Sequence, residues 1–262
     1  MTEDEIILTH ILQCRSIDLA INKPALTQFQ QEKFESYKVR RADGEPLQYI
    51  LGTCNFMGLE LDVDPSVLIP RPETEQLVDA ALGCFKGGHA LDLGTGSGNI
   101  AIALARFVPQ SHVIGVDVSQ QALEVARINA GRHGVADRIQ FIQDDIFMLL
   151  RGEVPGLRSN SPYELIISNP PYIPTGQLTG LPKDVQQEPI AALDGGTDGL
   201  DFYRIIIKYT PYLLRTGACL MMEFGDGQAQ DVKKLMEAQK AFSVIEIIQD
   251  LAGRDRIIKA IR

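Results

Sequence analysis

The spacing of apolar residues along the chain changes character near residue 85. Before it, Glu5-Ile6-Ile7-Leu8-Thr9-His10-Ile11-Leu12 has helical apolar spacing, and residues 29–37 repeat it among many polar positions. The Asp43-Gly44-Glu45-Pro46 turn closes that stretch. Residues 56–68 then alternate apolar and polar around Met57-Gly58, which predicts a β-hairpin. Pro70-Arg71-Pro72-Glu73-Thr74-Glu75 leads into a helix over 76–85. From His89 onward short apolar runs alternate with helical periods. Strands are predicted at 90–93, 113–117, 139–142, 163–168 and 218–223, and helices at 100–108, 120–132, 201–214 and 228–240. Two further strands, near 243–250 and 255–261, have no helix between them. Alternation of this kind implies an α/β fold with a doubly wound, mostly parallel sheet, and the last two strands imply a terminal antiparallel hairpin. The expected organisation is a helical domain over 1–52, a β-hairpin linker over 53–75 and an α/β domain over 76–262.

The most informative short stretch is Ser168-Asn169-Pro170-Pro171-Tyr172, directly after the apolar run Tyr163-Glu164-Leu165-Ile166-Ile167. Two prolines cannot continue a strand ladder, so Asn169 falls at the carboxyl tip of that strand. They also remove two N–H donors. What remains is rich in acceptors: the Asn169 side-chain oxygen and the main-chain carbonyls of Asn169 and Pro170. Such a corner suits a planar –NH2 group, with Tyr172 able to cover its plane.

Asp92-Leu93-Gly94-Thr95-Gly96-Ser97-Gly98-Asn99 sits at the first strand-to-helix turn of the α/β region. Glycines there permit a tight turn and close approach of a ligand to the backbone. The Gly94-x-Gly96-x-Gly98 spacing departs from the pattern that holds a dinucleotide pyrophosphate. Asp117 ends the second strand, where a carboxylate can accept both ribose hydroxyls of an adenosine. Asp144-Asp145-Ile146 ends the third; one of these acids can accept from an adenine amino group while Ile146 packs on the ring. These strand-end features follow the order used by S-adenosylmethionine enzymes.

Composition narrows the partners. The net charge of −9 argues against double-stranded DNA as the main ligand and suits a basic partner such as a protein working on the ribosome. The cysteines Cys14, Cys54, Cys84 and Cys219 are scattered without CxxC or ligand-spaced histidines, so free thiols in a reducing compartment and no metal site are expected. The acidic start and the lack of a long apolar run predict neither secretion nor membrane insertion.

Taken together, the motifs resemble the protein-(glutamine-N5) methyltransferases of peptide-chain release factors, the HemK/PrmC family. The resemblance rests on Glu45 to Gly52, on Val67-Leu68-Ile69-Pro70-Arg71-Pro72-Glu73-Thr74-Glu75, on Ser168 to Pro174, on Glu188-Pro189-Ile190-Ala191-Ala192-Leu193, and on Glu223-Phe224-Gly225 with Asp250 to Arg256. It implies a class I S-adenosylmethionine-dependent methyltransferase fold behind a small helical domain that docks the release factor. It further implies that Gly94, Thr95, Gly96, Ser97 and Gly98 wrap the methionine part of S-adenosylmethionine. Asp117 would hold the ribose, Asp145 and Ile146 the adenine, and Asn169 would border the cofactor. Asn169, Pro170, Pro171 and Tyr172 would hold the substrate glutamine of a Gly-Gly-Gln motif, with Asn169, Pro170 and Tyr172 carrying the chemistry. A cytoplasmic monomer without direct nucleic-acid contact is expected. An N6-adenine methyltransferase, a ribosomal-protein glutamine methyltransferase and a non-catalytic module that kept the fold are the competing readings.

Overall fold

A computed structural model describes residues 1–22, 25–151 and 162–262 of the chain. The N-terminal region is helical: α1 (Glu3–Leu12), α2 (Ser16–Asn22), α3 (Gln28–Ala42) and α4 (Leu47–Leu51). Thr2 and Thr27 each close a capping box at the start of α1 and α3, satisfying amides that have no partner within the helix. The hairpin that follows, β1 (Thr53–Phe56) and β2 (Leu59–Asp62), turns at Met57-Gly58 as predicted but lies earlier than 56–68. The apolar alternation continues past β2 for a different reason. Val63, Val67 and Ile69 are buried in a cluster with Tyr49 instead of pairing as a strand.

Helix α5 (Pro72–Cys84) starts inside the stretch expected as linker, with Pro72 in its first turn, where a missing N–H costs nothing. Then come β3 (Gly88–Leu93), α6 (Asn99–Phe107), β4 (Ser111–Asp117), α7 (Gln120–Arg132), β5 (Ile139–Gln143), α8 (Ile146–Leu150) and β6 (Tyr163–Ser168). The chain closes with α9 (Asp201–Tyr209), β7 (Leu214–Glu223), α10 (Ala229–Gln239), β8 (Val244–Gln249) and β9 (Asp255–Ile261).

The last seven strands form one sheet in the order β5-β4-β3-β6-β7-β9-β8. All neighbouring pairs are parallel except those made by β9, which runs antiparallel to both β7 and β8. Successive residues of each strand face opposite sides. Leu91, Leu93, Ile166, Leu220 and Met222 pack under α9 and α10. Ala90, Leu165, Ile167 and Met221 pack under α5 and α6, where the hairpin residues Phe56, Leu59 and Leu61 also bury. Both faces are covered, which is why the central strands read as continuous apolar runs.

β3 is flanked by β4 on one side and β6 on the other, so the chain switches direction across the sheet at the carboxyl end of β3, where doubly wound sheets bind ligands. The register pairs Leu93 with Val116 and with Ser168. The next residues, Gly94, Asp117 and Asn169, therefore emerge at one level.

Candidate active site

The carboxyl ends of β3, β4, β5 and β6 surround a cavity of about 620 Å³, within the roughly 300–1,000 Å³ range of small-molecule sites. Gly94, Gly96, Asp117, Asp145, Ile146, Asn169 and Pro171 line it. Of the other residues picked out from the sequence, Thr95, Ser97, Gly98, Pro170 and Tyr172 are not among those that line it.

The glycine loop is held from below. Gly94 and Thr95 both donate their amides to Val116 O at 2.9 Å. Thr95 Oγ1 donates to Asp92 Oδ2 at 2.6 Å, beneath the loop. Gly94, Gly96 and Gly98 have φ of 76°, 53° and 81°, the left-handed region that a side chain disfavours. A Cβ on Gly94 would approach Ile146 Cδ1 at 4.0 Å, so the missing side chain keeps open the space between loop and Ile146.

Asp117 accepts from Gly96 N at 2.8 Å through Oδ2 and from Ser119 N at 2.9 Å through Oδ1. Each oxygen keeps a second acceptor position, which fits a vicinal diol. Burial raises the pKa of Asp117, and the amides of Ser119 and Gly96 pull it back down. Asp145 caps α8, accepting from Phe147 N at 2.8 Å through Oδ1, and its other oxygen is available to a donor such as an exocyclic amine. The donor set and the shaped loop therefore fit S-adenosylmethionine.

The prolines end β6 as expected. Ser168 Oγ donates to Leu93 O at 2.6 Å and ties the two strand ends together. The Tyr172 ring is seated against Gly225, where a Cβ would meet Tyr172 Cδ2 at 2.9 Å, and packs against the core, not over the cavity. Burial pushes its hydroxyl pKa up to about 12.

The motifs assign no role to several features of the site. Val67, Leu68, Phe147, Ile190 and Phe202 add apolar wall, and the Phe147 and Phe202 rings meet edge to face at 5.0 Å. The walls are clasped from behind. Buried Glu188 accepts from Ile69 N at 3.0 Å and forms an ion pair with Arg71. Arg71 and Glu188, from two motif segments far apart in the sequence, thus bind each other. Glu75 accepts from Met57 N at 2.7 Å and fastens the hairpin turn to α5.

Two buried carboxyls titrate high. Asp92 rises from the ordinary 3.8 to about 7 and Glu223 from 4.5 to about 7, in both cases chiefly because burial disfavours the charge. Over that window the folded chain binds more protons than the unfolded one, so stability falls as pH rises and levels off above about 7. Asp92→Asn should flatten part of this slope, measured as urea-unfolding free energy between pH 5 and 8. An unchanged slope would place the proton elsewhere.

Two family models match the chain: a methyltransferase domain over residues 85–246 and a PrmC N-terminal domain over residues 2–52. Among solved structures, the catalytic domain of human Mettl16 in complex with an RNA hairpin aligns with a TM-score of 0.59 at 15% identity, covering 89% of this chain and 82% of that one. A methyltransferase from Pyrococcus furiosus aligns with a TM-score of 0.56 at 16% identity, covering 90% and 98%. At those identities the likeness establishes the methyltransferase fold alone. Sequence relatives carry more. A release factor glutamine methyltransferase of Moorella thermoacetica is 44% identical over 85% of this chain and 77% of its own length. One of Geobacter sulfurreducens is 46% identical over 84% and 74%, and one of Thermodesulfovibrio yellowstonii is 36% identical over 98% and 90%. With relatives 36–46% identical over most of this chain and of their own length, and with a methyltransferase model over residues 85–246 beside a PrmC N-terminal model over residues 2–52, the chain belongs to the release factor glutamine methyltransferase family.

Proposed function

We propose that this enzyme transfers a methyl group from S-adenosylmethionine to the side-chain amide nitrogen (N5) of the glutamine in the Gly-Gly-Gln motif of class 1 peptide-chain release factors, and so supports translation termination. S-adenosylhomocysteine is the other product. The observation that carries this reading is the position of Asn169. It stands on the cavity wall at the level of Gly94 and Asp117, with its Nδ2 already donated to Thr74 Oγ1 at 3.0 Å. Its carbonyl oxygen is therefore the atom left for a substrate –NH2.

S-adenosylmethionine, when bound, supplies a methyl group already activated as a sulfonium substituent. The chain's residues need only hold the substrate amide. An amide nitrogen is a weak nucleophile because its lone pair is delocalised into the carbonyl. Asn169 Oδ1 and the Pro170 carbonyl accept its two N–H bonds, fixing it in line. As the nitrogen pyramidalises and gains positive charge, those bonds strengthen, so the acceptors favour the transition state over the ground state. Orientation contributes roughly 7–11 kcal/mol in favourable cases. No general base is assigned, because the proton leaves readily once the nitrogen is alkylated. Tyr172, locked against Gly225, serves as the buttress that fixes the prolines.

Gly94 to Gly98 hold the methionine part of the cofactor, Asp117 the ribose hydroxyls, and Asp145 with Ile146 the adenine. The helical region over 1–52 docks the release factor. The enzyme works as a monomer in the cytoplasm without direct nucleic-acid contact. Among the described residues no helix is long and apolar enough to cross a membrane.

Labelled S-adenosylmethionine incubated with a class 1 release factor should label the intact factor and neither a Gln→Ala version of its Gly-Gly-Gln loop nor DNA. Label on DNA, or equally on the Gln→Ala factor, would overturn the assignment. Asp117→Ala should weaken cofactor binding by roughly 10- to 100-fold in a calorimetric titration, as expected for losing hydrogen bonds to a charged acceptor. Unchanged affinity would remove Asp117 from the ribose site.

A further inference from the structure

Behind Asn169 lies a chain of hydrogen bonds that none of the motifs announces. Asn169 Nδ2 donates to Thr74 Oγ1 at 3.0 Å, and Thr74 Oγ1 donates onward to Glu223 Oε2 at 2.7 Å. The three residues come from the end of β6, the first turn of α5 and the end of β7. The register of β6 with β7 pairs Ser168 with Met222, which sets Asn169 and Glu223 side by side. Thr74 and Glu223 are both buried, and neither lines the cavity.

The direction of this chain follows from the groups themselves. A hydroxyl has one hydrogen, and an ionised carboxylate only accepts. With the Thr74 hydrogen committed to Glu223, Thr74 can meet Asn169 only as an acceptor. The two flipped forms of an asparagine amide have nearly the same shape, so packing discriminates poorly between them. A neighbour that can only accept discriminates strongly, because the flipped form would set carbonyl against hydroxyl oxygen.

We infer that Thr74 and Glu223 are positioning residues for methyl transfer: a one-way relay from Asn169 through Thr74 to Glu223 holds the Asn169 amide with its carbonyl, not its –NH2, toward the substrate nitrogen. This rests on the reading of Asn169 as the acceptor for the substrate amide. Flipped, Asn169 would present donor to donor and repel the substrate.

The relay has a titratable end. Around Glu223 stand Arg256 on β9, whose Nη1 donates to Phe224 O at 3.1 Å, and Glu73 and Arg71 at the start of α5. Tyr203 on α9 donates its hydroxyl to the main-chain oxygen of Glu223 at 2.8 Å, and the hydroxyl of Tyr172 lies in the same region. Burial and Glu73 favour the neutral carboxyl, whereas Thr74, Arg256 and Arg71 favour the charged one. A protonated Glu223 can itself donate to Thr74, which frees the Thr74 hydrogen for Asn169 and releases the flip. The ionised form is the active one, so kcat falls as pH drops through the titration of Glu223.

The test compares wild type, Thr74→Val, Thr74→Ser and Glu223→Gln with a class 1 release factor and S-adenosylmethionine. Thr74→Val keeps the shape and removes the hydroxyl. It should lower kcat by roughly 10- to 100-fold, the scale of a misplaced reacting group, with little change in cofactor affinity or in KM for the release factor. Thr74→Ser should restore most of that rate, and Glu223→Gln should lose the acid limb of the kcat–pH profile. Wild-type kcat in Thr74→Val, equal impairment of the Val and Ser variants, or an acid limb unchanged in Glu223→Gln would each overturn the relay. If wild type methylates the factor and Asn169→Ala does not while Thr74→Val is unimpaired, only the relay fails. Should wild type transfer nothing to the factor, the functional reading fails, and the relay is decided without substrate. In ¹⁵N-labelled enzyme the Asn169 side-chain signals, assigned by their loss in Asn169→Ala, should titrate with Glu223 in wild type and not in Glu223→Gln. Signals that do not titrate in wild type would overturn it.

Discussion

Asn169→Ala is expected to lower kcat for methyl transfer by about 10²–10³-fold, the scale for removing one preorganised polar group at a developing charge. Cofactor affinity should stay close to that of wild type. The separation follows from geometry. The loop at Gly94 to Gly98 and Asp117 are tied to Val116, to Ser119 and to each other by bonds that do not pass through Asn169. Truncation removes the one side-chain carbonyl at the end of β6 and leaves the ligand cradle standing. Thr74 loses a donor but keeps Glu223 as its own acceptor, so the damage stays local. Single-turnover transfer beside a calorimetric titration with S-adenosylmethionine reads both quantities. An Ala variant that still turned over near the wild-type rate would remove Asn169 from the chemistry, and one that lost cofactor binding would recast it as a cofactor residue.

Gly199→Ala should be the most damaging small substitution outside the cavity. Gly199 has φ 75°, and a Cβ there would lie 2.3 Å from Tyr172 O and 2.7 Å from Gln228 Nε2. These are not idle neighbours. Gln228 Nε2 donates to Tyr172 O at 2.9 Å and to Gly199 O at 3.3 Å, and Gln228 Oε1 accepts from Gly225 N at 2.9 Å. One glutamine therefore latches the loop at 199, the residue after the prolines and the turn after β7. A methyl group must displace main-chain atoms, and left-handed strain adds to the overpacking, for a destabilisation of about 3 kcal/mol or more. Urea unfolding measures that loss, and kcat should fall with it because the corner at Asn169 is anchored through Tyr172. Gly176, where a Cβ would meet nothing within 4 Å, supplies the control. Equal stability of Gly199→Ala and Gly176→Ala would show that the latch does not hold the corner.

What could be read in the sequence was local. Each central strand announces itself because both faces are covered, and the glycine loop and the prolines mark strand ends by chemistry that needs no partner. The short helices α4 and α8 escaped because a single turn leaves no period to detect, and Asp145, read as an adenine contact, also caps α8. The hairpin was drawn too late because Val63 and Val67 continue an alternation that burial around Tyr49, not strand pairing, produces. Tyr172 was expected across the substrate plane, but nothing near the motif reveals that Gly225 makes room for its ring. Least legible was the support of Asn169. Thr74 and Glu223 are separated by 149 positions, and only the packing of α5 against β7 brings them together.

That strand order also decides when the molecule can become whole. Among the described residues β8 hydrogen-bonds to β9 and to no other strand, and the outer edge of β7, where Glu223 lies, is closed by β9 as well. A chain growing from its amino end therefore carries two unsatisfied strand edges until Ile261 has left the ribosome. Until then the cradle at Gly94 and Asp117 can form, since its hydrogen bonds join only β3, β4 and the turns that follow them. The seat beneath Asn169 still lacks its flank. Assembly of the two halves of the site is thus separated in time: the late half waits on β9, which folds back on β8 as a local hairpin before it can close β7, and until then the edge of β7 stays open to other chains.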